Sequence, residues 1–160
     1  TPASGNAAVQ AHLAVAAEAK AHAEAARLHL EKQRYSAAEE EFEKAVAKEP
    51  NVVLYRVGLA WATAVNTARP QDARLRKALE LLRGVNSRYQ NAEALYTEGM
   101  VLNLMGRDGE AEATFRRALE NDKNHHGALR MVRLLEMRRQ KEKEDAASPV
   151  AGILGLLKKK

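Results

Sequence analysis

From about Ala19 to Gln140, apolar residues recur at intervals of three and four, the spacing of one face of a helix. No run of β-branched residues alternates with polar ones, so the pattern predicts helices throughout and no β-sheet. Three stretches share one phase: Ala38, Phe42 and Ala45; Ala78, Leu82 and Val85; Ala111, Phe115 and Ala118. Each follows another helical stretch marked by a small residue, Ala26, Gly58 or Gly99, where two helices must approach closely. The separations from these small residues to Ala38, Ala78 and Ala111 are 12, 20 and 12 residues, so the middle pair is expected to carry eight additional ones. They fall in NTARPQDARLRK, where Pro70 disfavours helix for Arg69 before it and Asp72 is the expected cap of a lengthened second helix.

A unit of about 34 residues, with a small residue in its first helix, small-aromatic-small in its second and a closing Pro such as Pro50, resembles the tetratricopeptide repeat. The third copy carries the fullest set, with Leu95, Gly99, Leu102, Gly106, Ala111, Phe115 and Ala118. His22 and Ala26 replace the family's large residue and glycine in the first copy, the second lacks both the aromatic and the closing Pro, and the third lacks that Pro too. The resemblance implies an all-α, right-handed superhelix of three helix-turn-helix repeats, 19–52, 51–91 and 92–125, closed by a capping helix over 126–145 that buries Leu129 and Val132. Residues 1–18 read as an alanine-rich linker or helix extension, and 146–160 as a flexible, apolar and Lys-rich tail. This order looks like the C-terminal module of a larger bacterial multidomain protein, and the start at Thr1 rather than methionine fits a fragment.

In such an array the first helix of each pair lines a concave groove. Aligned on the small residues, the inward positions are Lys20, Ala23, Arg27 and Leu30; then Val52, Tyr55, Leu59, Ala62 and Thr63; then Glu93, Tyr96, Met100 and Asn103; with Arg130 and Leu134 from the cap. Aromatic and aliphatic anchors beside basic residues suit a partner peptide or helix carrying apolar side chains and an acid. Tyr and Met at helical spacing are more often packing residues, and that competes with the binding reading at each position. Some members of the family hold chaperone carboxylate tails through a clamp of lysines, asparagines and arginine. The corresponding residues are Ala23, Arg27, Arg56, Glu93 and Thr97, so the clamp is not expected.

Composition changes the picture less than the pattern does. The 160 residues include 31 alanines and only 4% aromatics, which suits helices packed at small residues rather than around a large aromatic core. The formal charge of +5 lies entirely beyond His125, because the preceding stretch holds 17 basic and 17 acidic residues. The basic run from Arg130 to Lys143 is interrupted or flanked by acids and lacks interleaved aromatics, a poor nucleic-acid footprint. VAGILGLLKKK is too short to span a bilayer. It leaves membrane-surface or nucleic-acid association through the C-terminal helix and tail as the alternative to groove binding. There is no cysteine, no phosphate loop and no nucleophile elbow, and His22 with His29 or His125 with His126 lack metal-site spacing. The sequence therefore predicts a non-catalytic, cytoplasmic protein-interaction module with no cofactor.

Overall fold

The computed structural model describes residues 2–157, in which helices occur without strands. They are α1 (Pro2–Glu31), α2 (Tyr35–Lys48), α3 (Val53–Val65), α4 (Gln71–Asn86), α5 (Ala92–Leu104), α6 (Asp108–Asn121), α7 (His126–Ala147) and α8 (Pro149–Leu157). Each helix packs on the next in chain order, and α3 also touches both α1 and α5. The three antiparallel pairs thus stack into the expected superhelix, with α7 covering the last. Two apolar clusters form the core. One joins Ala23 and Ala26 to Ala38, Phe42, Ala45 and Ala62; the other runs from Ala60, Ala64, Leu75, Ala78 and Leu82 through Leu95, Leu102 and Phe115 to Met131 and Leu135. Alanine at the crossings lets backbones approach, and the few large side chains fill what remains: Phe115, Leu82, Leu95 and Leu102 are the largest fully buried ones.

The outer pairs turn in the same way. Gln33 and Gly106 both have positive φ, 56° and 72°. In each turn the following N–H, of Arg34 or Arg107, donates to a carbonyl five residues back, His29 or Leu102, which satisfies a carbonyl that the helix end leaves free.

The middle pair corrects the sequence alignment. Helices α3 and α5 are both 13 residues long, and matching their ends pairs Gly99 with Ala60, not with Gly58. Ala60 is fully buried in the cluster containing Leu75 and Ala78. Gly58 instead faces the preceding pair, where an added Cβ would lie 2.3 Å from Phe42 Cε1. The insertion is therefore six residues: two in the Asn66–Pro70 connection and one extra helical turn at the start of α4. Asp72 is not the cap of α4. Pro70 holds that position without a side-chain bond, and Asp72 stands in the first turn, where its charge opposes the positive end of the helix dipole.

Glu39 of α2 anchors this longer connection. The residue is 2% exposed, and its carboxylate accepts from Thr63 Oγ1 at 3.0 Å, Asn66 Nδ2 at 2.7 Å and Arg69 Nη1 at 2.8 Å, with Lys77 Nζ at 3.5 Å. Burial pushes its pKa up, but the Asn66 and Thr63 bonds and the charges of Arg69 and Lys77 outweigh burial and hold it below the usual carboxylate value.

The ends are more regular than expected. The alanine-rich start continues α1 without a break, its first buried residue being Ala19. Glu18 pairs with Lys48 and His12 approaches Glu49 at 3.8 Å, so the extension lies beside the end of α2. In α7 the buried positions are Ala128, Met131, Val132 and Leu135, and Leu129 is only half-buried. Residues 149–157, read as flexible tail, form α8; the last three lysines lie outside the described residues.

Candidate functional site

A groove of about 660 Å³ crosses α1, α3 and α5. Arg27 and Leu30 form its α1 wall, Leu54, Val57, Gly58 and Trp61 its centre, and Glu93, Tyr96, Thr97 and Met100 its α5 wall, with Phe42 of α2 below. Its floor follows from the close approach at Gly58, which brings the Phe42 ring under the backbone of α3. The exposed cation Arg27 has no acidic partner among the described residues. At the opposite wall Glu93 is engaged by His125 Nε2 at 3.0 Å. The groove thus presents the unpaired guanidinium of Arg27 on one wall and the Glu93 carboxylate on the other, with a mostly apolar centre between them.

Tyr96 belongs to both groove and core. Its ring lies 5.8 Å from Phe115 and 4.7 Å from His125, and a Cβ on Gly127 would come within 2.8 Å of it. The same His125 caps α7, since its Nδ1 accepts the Ala128 N–H at 3.1 Å. Thr97 turns its hydroxyl inward, donating to the Glu93 carbonyl at 2.8 Å. Trp61, half-buried, has no aromatic partner among the described residues, and it is the largest side chain that lines the groove.

Of the residues expected inward, Arg27, Leu30, Glu93, Tyr96 and Met100 line this groove. Tyr55 and Leu59 do not. They pack against the cluster of Ala23, Ala38 and Phe42, and Leu59 also lines a separate depression with Val46, Arg56, Leu81 and Arg88. The cause is that Ala60, not Gly58, stands at the position of Gly99, and a displacement of two residues turns a helix by about 200°. Corrected, the α3 positions are Val57 and Trp61, and Gly58 replaces Arg56 among the clamp positions. Helix length was the missing signal: α3 ends as far beyond Ala60 as α5 ends beyond Gly99. Asn103 lies outside the groove lining, with its amide oxygen 3.4 Å from Arg138 Nη1. Arg130 and Leu134 share one face of α7 with Leu129, Arg133 and Met137, lining a smaller depression.

The tetratricopeptide repeat model matches residues 19–51 and 92–125. The chain carries tetratricopeptide repeats. The middle pair, with its six-residue insertion, is the one that falls outside the matched segments. Solved tetratricopeptide domains share the fold: that of Sgt2 from Aspergillus fumigatus, at 16% identity and a TM-score of 0.68, covers 82% of this chain and 85% of its own. The Arabidopsis OM64 domain, at 16% identity and a TM-score of 0.64, covers 78% and 98%. The first tetratricopeptide domain of Spaghetti (RPAP3), solved with the HSP90 peptide SRMEEVD, has 18% identity and a TM-score of 0.61, covering 78% and 95%. No curated protein matches the sequence significantly. Among the described residues no group of three His, Asp or Glu side chains is placed to hold a metal ion, and no helix is long and apolar enough to cross a membrane.

Proposed function

We propose that this chain is a non-catalytic protein-interaction module that holds a partner peptide or helix in the groove across α1, α3 and α5. The observation that carries this reading is the pairing of a half-buried Trp61 and its aliphatic surroundings with the unpaired Arg27 on the facing wall. Burying an aromatic anchor within a rim that excludes water is how interfaces concentrate their energy, and a guanidinium at the edge favours a partner carboxylate. The ligand is accordingly a segment that combines one or two bulky apolar side chains with an acidic residue. The Spaghetti domain is bound to an HSP90 peptide, but Ala23, Gly58, Glu93 and Thr97 offer no counterpart to a carboxylate clamp, so a chaperone tail held in that way is not the expected ligand.

A random peptide library displayed on phage tests this. Wild-type protein should enrich sequences pairing an apolar anchor with Asp or Glu, and Trp61→Ala should lose capture of them with its helical circular dichroism intact. Arg27→Glu should remove the acidic preference. Enrichment that survives both substitutions would reject the groove.

A further inference from the structure

Helix α8 leaves its large side chains in solvent. Val150, Ile153, Leu154, Leu156 and Leu157 are 55–74% exposed. Four of them, at i, i+3, i+4 and i+7, form one stripe that Leu156 widens. Gly152 and Gly155 stand in open space, with nothing within 4 Å of a Cβ at either. A globular chain does not ordinarily leave such a surface uncovered. From Ala146 to Lys160 there is no acidic residue, and Lys158, Lys159 and Lys160 follow the helix directly. Lys141 and Lys143, exposed on α7, add positive charge a few turns upstream, although Glu142, Glu144 and Asp145 oppose it.

We infer that α8 is an interfacial anchor that lays its apolar face into the surface of an anionic bilayer. The charge pattern selects this occupant, because an uninterrupted basic end suits anionic headgroups, while α8 has no polar or charged side chain after Pro149 to fix register in a protein groove. Its nine residues extend only about 13 Å, less than half of the roughly 30 Å hydrocarbon core, so α8 lies in the interface rather than across it. A short apolar helix binds weakly alone, and nearby cations strengthen it at an anionic surface. The groove would then be presented to its ligand from the membrane surface, but the inference does not depend on groove binding.

Vesicle co-sedimentation of the whole 160-residue chain tests this directly. The comparison is between phosphatidylcholine alone and phosphatidylcholine with about one-third phosphatidylglycerol, a probe of anionic charge. The expected result is at least several-fold greater sedimentation with the anionic vesicles, weakened by salt. Leu154→Asp with Leu157→Asp should abolish it, and replacement of the last three lysines by Gln should remove the anionic preference. The Asp variant should retain wild-type circular dichroism and melting, because neither leucine belongs to the core clusters. Failure of the wild type to sediment, or sedimentation that survives the Asp substitutions, would overturn the inference. So would a dimer in sedimentation velocity that the same substitutions dissolve, since a second copy would then be the cover.

Discussion

Single residues set the geometry through backbone freedom and close approach. Gln33 adopts at the first turn the left-handed conformation that Gly106 supplies at the third, and a residue with a Cβ is disfavoured there by about 1–2 kcal/mol. Gln33→Gly should therefore raise stability by about 1 kcal/mol, which for a chain of this size is a melting increase of about 2–4 °C. A lower melting temperature would show that the Gln33 side chain contributes more than its backbone costs. At Gly58 and Gly99 the direction reverses, because an added Cβ would lie 2.3 Å from the Phe42 ring or 2.5 Å from the Phe115 ring. Gly58→Ala and Gly99→Ala should each destabilise by about 1–3 kcal/mol, the usual cost of overpacking. Unchanged denaturant midpoints would mean that those rings have room to move.

At the scale of the helices, the repeat phase was legible wherever one residue had one plausible role. The matching spacing of Ala38, Phe42 and Ala45 with Ala111, Phe115 and Ala118 located α2 and α6, and all six residues are buried as that phase requires. Leu82 fills the aromatic's place in α4 equally well. The phase failed at Gly58 and Ala60, two small residues two positions apart, because both serve close approaches, one toward α2 and one toward α4. Spacing alone does not say which neighbour a small residue faces, and the groove wall moved from Tyr55 and Leu59 to Val57 and Trp61 with that choice. Glu39 was equally hidden, since its partners, Thr63 near the end of α3 and Asn66 and Arg69 in the connection that follows, are 24 or more residues away. Its lowered pKa has a clear sign. A carboxyl held below its unfolded value contributes stability that is fully present above about pH 4.5 and is lost as pH falls through the folded value. Glu39→Gln should flatten the pH dependence of unfolding in that acid window, and in the wild type the protection of the Asn66, Thr67, Ala68 and Arg69 amides against hydrogen exchange, relative to their intrinsic rates at each pH, should fall as the pH drops. Parallel acid titrations of variant and wild type would contradict the anchoring role.

For the whole molecule, stacking both hides and exposes charge. Arg138 and Arg139, the part of the basic run nearest α6, face Asp108 at 3.6 Å and Glu112 at 2.9 Å, and Arg116 reaches Glu136 at 2.6 Å. Those guanidiniums tie the cap to the last repeat and are not free for phosphate. Arg27 remains unpaired at the groove, so the charge that distinguishes the binding face lies within the balanced part of the chain. The direct test is to map a selected peptide on the isotopically labelled chain by chemical-shift perturbation. The account predicts shifts concentrated at Arg27, Leu54, Val57, Trp61, Tyr96 and Met100, with the sole tryptophan's indole N–H among the largest. Shifts centred instead on Val46, Leu59, Leu81 and Arg88, with Trp61 unmoved, would place binding in the separate depression and contradict it.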